Sequence, residues 1–373
     1  METAVSDRLP ALASVRSRVH HVPGMGHRAF ATLCLLSVAA CTAAPLDAGS
    51  TGNDAQARTT APTTRVTLHA AIDAMAIDAT YIYFTSEDGF VYRLSRSGTA
   101  APERIAAATV PGSKYTEGLA TDEASLYWTA LGDGVSSGAV LTAPKTGGSP
   151  VYLARGQARP FGIAVDDVAV YWANQGVPTP DQTNNLTPTA GILSVAKSGG
   201  SPTTLAHDVT APDAIALDPT GVIWHESMAI RRVPKAGGTP MNLADSAIPW
   251  TSSNLVVSGS DVYWGADQGV WSLQSVGLEG GQVSTLVMPI DAPGGILIDG
   301  ASLVRVVANG TDVGALESSP LAGGATTVVS APDPVSGGTA QGAALLVADA
   351  TAFYWVESWE EPERVVAVRT LAR

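Results

Sequence analysis

Cysteine is almost absent. The chain of 373 residues has two, Cys34 and Cys41, so whatever folds beyond residue 41 has neither a disulfide nor a reactive thiol. The six histidines are scattered, with no HExxH, no Cys–His pair and no GxSxG elbow, which leaves out the commonest zinc-hydrolase and serine-hydrolase signatures. Basic residues are scarce. Setting aside positions 1–40, which hold four arginines and two acids, leaves 17 basic against 32 acidic side chains. That net charge of −15 argues against binding nucleic acid or an anionic membrane surface. Long apolar runs are missing too: the best, at positions 29–40, is too short to span a bilayer. No stretch shows sustained helical periodicity, which excludes a helical solenoid. "GDGVSSG" (132–138) lacks the lysine and helix of a phosphate loop.

What the sequence does have begins at that apolar run. "AFATLCLLSVAA" follows His27 and Arg28 and precedes Cys41, the layout of a secretory signal over residues 1–40, with Met25 an alternative start. "VAAC" resembles a bacterial lipobox, with valine in place of the commoner leucine. The resemblance implies that Cys41 is lipidated, the alternative being an ordinary signal-peptidase site. Thr42, where aspartate would favour inner-membrane retention in such lipoproteins, implies an outer-membrane lipoprotein of the cell envelope, facing the periplasm or the cell surface. Residues 42–63 lack large apolar side chains apart from Leu46 and read as a flexible tether, so that 41–63 is a lipidated cysteine plus linker.

From residue 64 the chain repeats. Seven segments align on Asp-x-x-x-apolar-Tyr-Trp: "DATYIYF" (78–84), "DEASLYW" (122–128), "DDVAVYW" (166–172), "DPTGVIW" (218–224), "SGSDVYW" (258–264), "DGASLVR" (299–305) and "DATAFYW" (349–355). Their last positions fall about 40–50 residues apart, and five of the eight tryptophans occupy them. A short apolar strand precedes each aspartate. After the aromatic pair come a variable loop, a further apolar run, a double-glycine turn ("KTGGSP", "KSGGSP", "KAGGTP") and a last strand. Four antiparallel strands per unit at this period predict an all-β, seven-bladed β-propeller over 64–373. The seventh unit ends before its fourth strand, and "RVTLHA" (65–70) has the pattern of one, so the N-terminal strand is expected to complete the last blade. The motif aspartate is expected to form a turn, and Tyr and Trp to face neighbouring blades. In the sixth unit Arg305 falls where Trp is expected. A register slip that turns Val304 and Val306 inward is the expectation there, because an unpaired buried guanidinium is costly.

The phrase resembles the Tyr-Trp-Thr-Asp propellers of lipoprotein-receptor ectodomains and the related NHL and SMP-30/gluconolactonase-like propellers, across nearly all of 65–373. It lacks the Gly-His and Trp-Asp signatures of WD40 repeats and the kelch order of glycines. Such a fold puts the starts of the first strands and the second-to-third-strand loops around one channel mouth. The residue five before each motif aspartate, or its Ser258 equivalent, is therefore the place to read: Asp73, Glu117, Phe161, Asp213, Ser253, Gly294 and Ala344. Asp73, Glu117 and Asp213 could supply part of a site for Ca²⁺ or another divalent cation, or be solvated rim residues. The insertion 173–191 is expected to overhang the mouth. In "ESWEEPER" (357–364), read as a loop, Trp359 is a candidate partner contact, or packs on its own blade.

Two functions follow as expectations. One is a lipid-anchored binding or scaffold module that docks a protein or small-molecule ligand on its loop-rich face. The alternative is a divalent-metal-dependent hydrolase of SMP-30 type. That resemblance implies roles for Glu117 in "EGLATD" and Asp213 in "PDAIALD", but the family's asparagine ligands have no counterpart at Phe161 or Ser253, and that family has six blades.

Overall fold

Alternation of apolar residues at period two, bounded by turn residues, dictates short strands that bury side chains on both faces. The computed structural model describes residues 62–110, 115–132, 136–176, 189–226, 228–245, 255–307, 314–331, 339–360 and 364–373. Cys41, the signal segment and most of the tether lie outside them, as do Ser253 and most of the blade-three insertion. Among the described residues there are 28 strands and no helix. They form seven four-stranded antiparallel sheets, each a meander from an innermost first strand to an outer fourth one. Blade two is typical, with strands Thr116–Thr121, Ser125–Ala130, Gly138–Pro144 and Val151–Gln157.

Each first strand touches the next one round the ring, and blade seven's touches blade one's. Closure is as expected: Thr63–Leu68 pairs with Arg364–Ala372 and completes blade seven, beginning two residues earlier than the sequence pattern suggested. Buried Arg369 and Glu357 form an ion pair there (Nε–Oε2 2.8 Å), and Arg369 also donates to Thr64 of the N-terminal strand. The same Glu357 accepts the indole N–H of Trp355 at 2.7 Å. Side chains from opposite ends of the sequence thus hold the ring closed.

Where a motif ends in an aromatic pair, the pair faces two blades at once. Tyr171 packs with Trp224 of blade four, while Trp172 packs with Tyr127 of blade two. The five motif tryptophans are all fully buried. The double-glycine turns recur in five blades, with Gly147, Gly199, Gly237, Gly280 and Gly323 all donating to the carbonyl three residues back. Both glycines of each pair sit at positive φ, where a side chain would strain the turn.

Two expectations are corrected. Arg305 does not slip out of register: it pairs with Ile296 as Trp172 does with Ile163, and is 3% exposed in the tryptophan slot. Its charge is met by Glu317 on the neighbouring strand and by the Asp291 carbonyl, so the guanidinium is buried but not unpaired. Nor is Trp359 in a loop. The second and third strands of blade seven run Ala352–Glu360 and Arg364–Ala372, and Trp359 pairs with Val365 and Ala340 inside that ladder. Blade seven's second strand has nine residues where most have six. It therefore projects about 10 Å further at the mouth end.

Candidate functional site

The two ends of the propeller are built differently. At the end away from the mouth, the motif aspartate is more than a turn-former. Asp122 Oδ1 accepts the backbone N–H groups of Ala124 (2.9 Å) and Ser125 (2.8 Å), while Oδ2 accepts the Tyr127 hydroxyl (2.8 Å). Oδ2 also meets Lys197 Nζ of the next blade at 2.6 Å. Burial works to raise the Asp122 carboxyl, but these partners, Lys197 first, bring it down to about 2. Burial and the bonded carboxylate hold the Tyr127 hydroxyl above its usual range. The pattern repeats with Asp78–Lys145 (2.9 Å) and Asp166–Lys235 (2.9 Å), and continues with Asp299–Arg373 (3.2 Å) and Asp349–Arg96.

The cation always stands directly after the third strand of its blade. In blades five and six that position is Leu278 and Leu321, each packed on an inter-blade core. Their would-be partners change with them. Asp218 turns to Arg232 of its own blade (2.6 Å), and blade five has Ser258 in place of the aspartate. The lysines were visible in "KTGGSP", "KSGGSP" and "KAGGTP", and their loss together with the aspartate or tyrosine was the available signal.

At the mouth, the chosen position falls at the same structural feature. The register shifts between Ile72 and Ala74, Thr116 and Gly118, Pro160 and Ile163, Pro212 and Ile215, and Pro293 and Gly295. A bulge re-aims the side chain it contains, so Asp73, Glu117, Phe161, Asp213 and Gly294 all lie at bulges on the inner wall. The glycine following Phe161 lets neighbouring walls close: a Cβ on Gly162 would stand 2.3 Å from the Asp213 carbonyl.

Asp73 accepts from Thr116 Oγ1 (3.0 Å), which is bonded in turn to Thr85 (2.7 Å). The Glu117 carboxyl is pushed up to about 8, by removal from water first and by Asp73 second, against the pull of Arg159. Asp213 bonds His225 Nδ1 at 2.8 Å. His225 is buried, and its Nε2 has no hydrogen-bond partner among the described residues. The mouth therefore carries Arg159 and His225 beside the three expected carboxylates, and neither stood at the residue position the sequence singled out. Asp73 and Glu117 are brought into electrostatic contact, while Asp213 is engaged by His225. Among the described residues, no group of three or more His, Cys, Asp or Glu side chains is placed to hold a metal ion, so no catalytic step is derived through one.

No protein-family model matches the sequence, and no curated protein matches it. The fold is similar to that of the WD40 β-propeller domain of Doa1, at 14% identity and a TM-score of 0.58, covering 83% of this chain and 97% of that one. It is also similar to the computationally designed Ika8 protein (12%, TM-score 0.54, 81% and 83% covered). Puromycin hydrolase is a third (14%, TM-score 0.54, 79% of this chain and 51% of that one). At such identities the likeness is one of fold alone. The chain is a seven-bladed β-propeller with one uniform end and one divergent end.

Proposed function

We propose that the protein is a lipid-anchored propeller of the cell envelope, held through Cys41 and the tether 42–63, and that it is a binding module whose ligand or partner seats on the mouth face. The observation that carries this reading is the contrast between the two ends of the same strands. Away from the mouth, five of the seven seams use the same aspartate–cation tie between blades. At the mouth, equivalent bulges present two neighbouring carboxylates, Asp73 and Glu117, then Phe161, Asp213 and, further round the ring, Gly294. A rigid scaffold with varied side chains at one opening is the usual build of a ligand site.

The test is photo-cross-linking in cells, with a benzophenone amino acid at Phe161 in the mouth or at Val168, which is 74% exposed in the opposite turn. Adducts at residue 161 but not at 168 are expected, and the reverse pattern refutes the reading. Cys41→Ser should move the protein from the membrane to the soluble fraction, and unchanged fractionation refutes the anchor. A cation held by Asp73, Glu117 and Asp213 would raise the melting temperature with Ca²⁺ and lower it with EDTA, because an ion bound only by the native state stabilises it.

A further inference from the structure

With 34 acidic residues against 21 basic ones, a guanidinium in this chain has carboxylates to spare. Every other arginine whose side chain is described has an ion-pair, hydrogen-bond or ring partner: Arg93 holds Glu103, Arg232 holds Asp218, and even exposed Arg155 lies over Tyr152 at 3.3 Å. Arg159 has none among the described residues. It stands partly exposed just before the first strand of blade three, close enough to act on Glu117 but beyond ion-pair distance. Its backbone is at φ +54°, a conformation that a side chain of this size adopts only when its surroundings enforce it. The enforcement is visible: Gln175 N donates to the Arg159 carbonyl (3.1 Å), and Gly176 N to that of Ala158 (3.0 Å). Two residues on, Phe161 is partly exposed at its bulge. Among the described residues this guanidinium ties no two blades together, and it stands two residues from a partly exposed ring on the inner wall.

Building on the mouth reading above, we propose that Arg159 anchors a site for a carboxylate carried on a flat apolar body, which lies against Phe161. The planar fork of an arginine matches a carboxylate with two parallel hydrogen bonds. Glu117 is largely protonated at neutral pH, and the Asp73 charge that acts on it would repel a phosphate dianion more strongly than a singly charged carboxylate.

The experiment is a ¹⁹F NMR titration of the detergent-solubilised, full-length protein with 4-fluorobenzoate, its neutral isostere 4-fluorobenzamide, and 4-fluorophenyl phosphate. Saturable binding of the benzoate is expected, with the amide and the phosphate ester at least tenfold weaker. Arg159→Gln should weaken benzoate about ten- to a hundredfold, the range for a charge-assisted pair, and Arg159→Lys less. Arg159→Gly should abolish binding while raising the melting temperature, because glycine relieves the positive φ. A lower melting temperature would mean that Arg159 serves the fold, and would overturn the proposal. So would equal binding of the amide or the phosphate ester, unchanged affinity in Arg159→Gln, or no benzoate binding. Mouth adducts at residue 161 without benzoate binding would remove the carboxylate assignment and leave the mouth reading. Arg159-dependent benzoate binding without adducts would do the reverse.

Discussion

The seam between blades two and three and the seam between blades five and six come from the same repeat and are held by different physics. At the first, Tyr127 packs with Trp172, and Asp122 gathers two backbone N–H groups, a phenol and the Lys197 ammonium. At the second, Tyr263 packs only with aliphatic residues, the tryptophan slot holds Arg305, and the aspartate and cation have become Ser258 and Leu321. A seam therefore forms without the aspartate–cation tie, which is an addition to the packing. An aspartate kept without its cation would lose the largest of the interactions that offset its desolvation. Where the aspartate keeps neither its cation nor its tyrosine, with Leu278 and Ile223 in their places, Asp218 has acquired Arg232.

The comparison breaks most severely at the tryptophan. Trp172→Ala should cost about 3–5 kcal/mol in urea unfolding, the range for emptying a fully buried aromatic site. At the equivalent slot of blade six, the double variant Arg305→Trp with Glu317→Leu should be neutral or stabilising by about 1–4 kcal/mol, because it replaces a buried ion pair with packing. A loss of several kcal/mol there would show that the pair is worth more than its desolvation.

Next in size is Gly162→Ala, which forces the backbones of blades three and four apart and should cost about 1–3 kcal/mol by overpacking. The same change at Gly259, where a Cβ would meet nothing within 4 Å, costs only the strain of its positive φ. Melting curves of the two variants separate crowding from backbone strain.

Smaller still is the tie itself. Lys197→Met should cost about 1 kcal/mol, since both partners keep some solvent contact. Its pH signature is more specific. The Asp122 carboxyl is held at about 2 in the folded protein, below its unfolded value, so its contribution is complete above about pH 4 and is lost as the pH falls toward 2. Asp122→Asn should flatten that acid limb and leave the melt above pH 5 parallel to wild type. The smallest effect is a gain: Leu278→Lys restores the cation opposite Asp218 but competes with Arg232 and sacrifices apolar packing, so a change within about 0.5 kcal/mol is expected.

How much of this was legible depended on sequence distance. The divergent mouth position was readable because it lies five residues before a repeated aspartate, and the bulges at Asp73, Glu117, Phe161, Asp213 and Gly294 fall there. Arg159 was missed because it sits two residues upstream of that position, and its backbone reaches it through a left-handed turn with no sequence mark. His225 was missed because its partner, Asp213, is on the neighbouring strand, across the turn between them. Arg305 was misjudged because a buried guanidinium was weighed without Glu317.

By itself, the sequence determined the strand inventory, the seven-fold repeat and the closing of the ring by its first strand. All three rest on local alternation and on a period, which are written into short stretches of chain. The tertiary structure alone decided which charges meet. Asp122 finds Lys197 on the next blade, and Glu357 shares Arg369 with a threonine from the other end of the chain. It also left Arg159 without a partner among the described residues, because pairing depends on which blades stand side by side once the ring has closed.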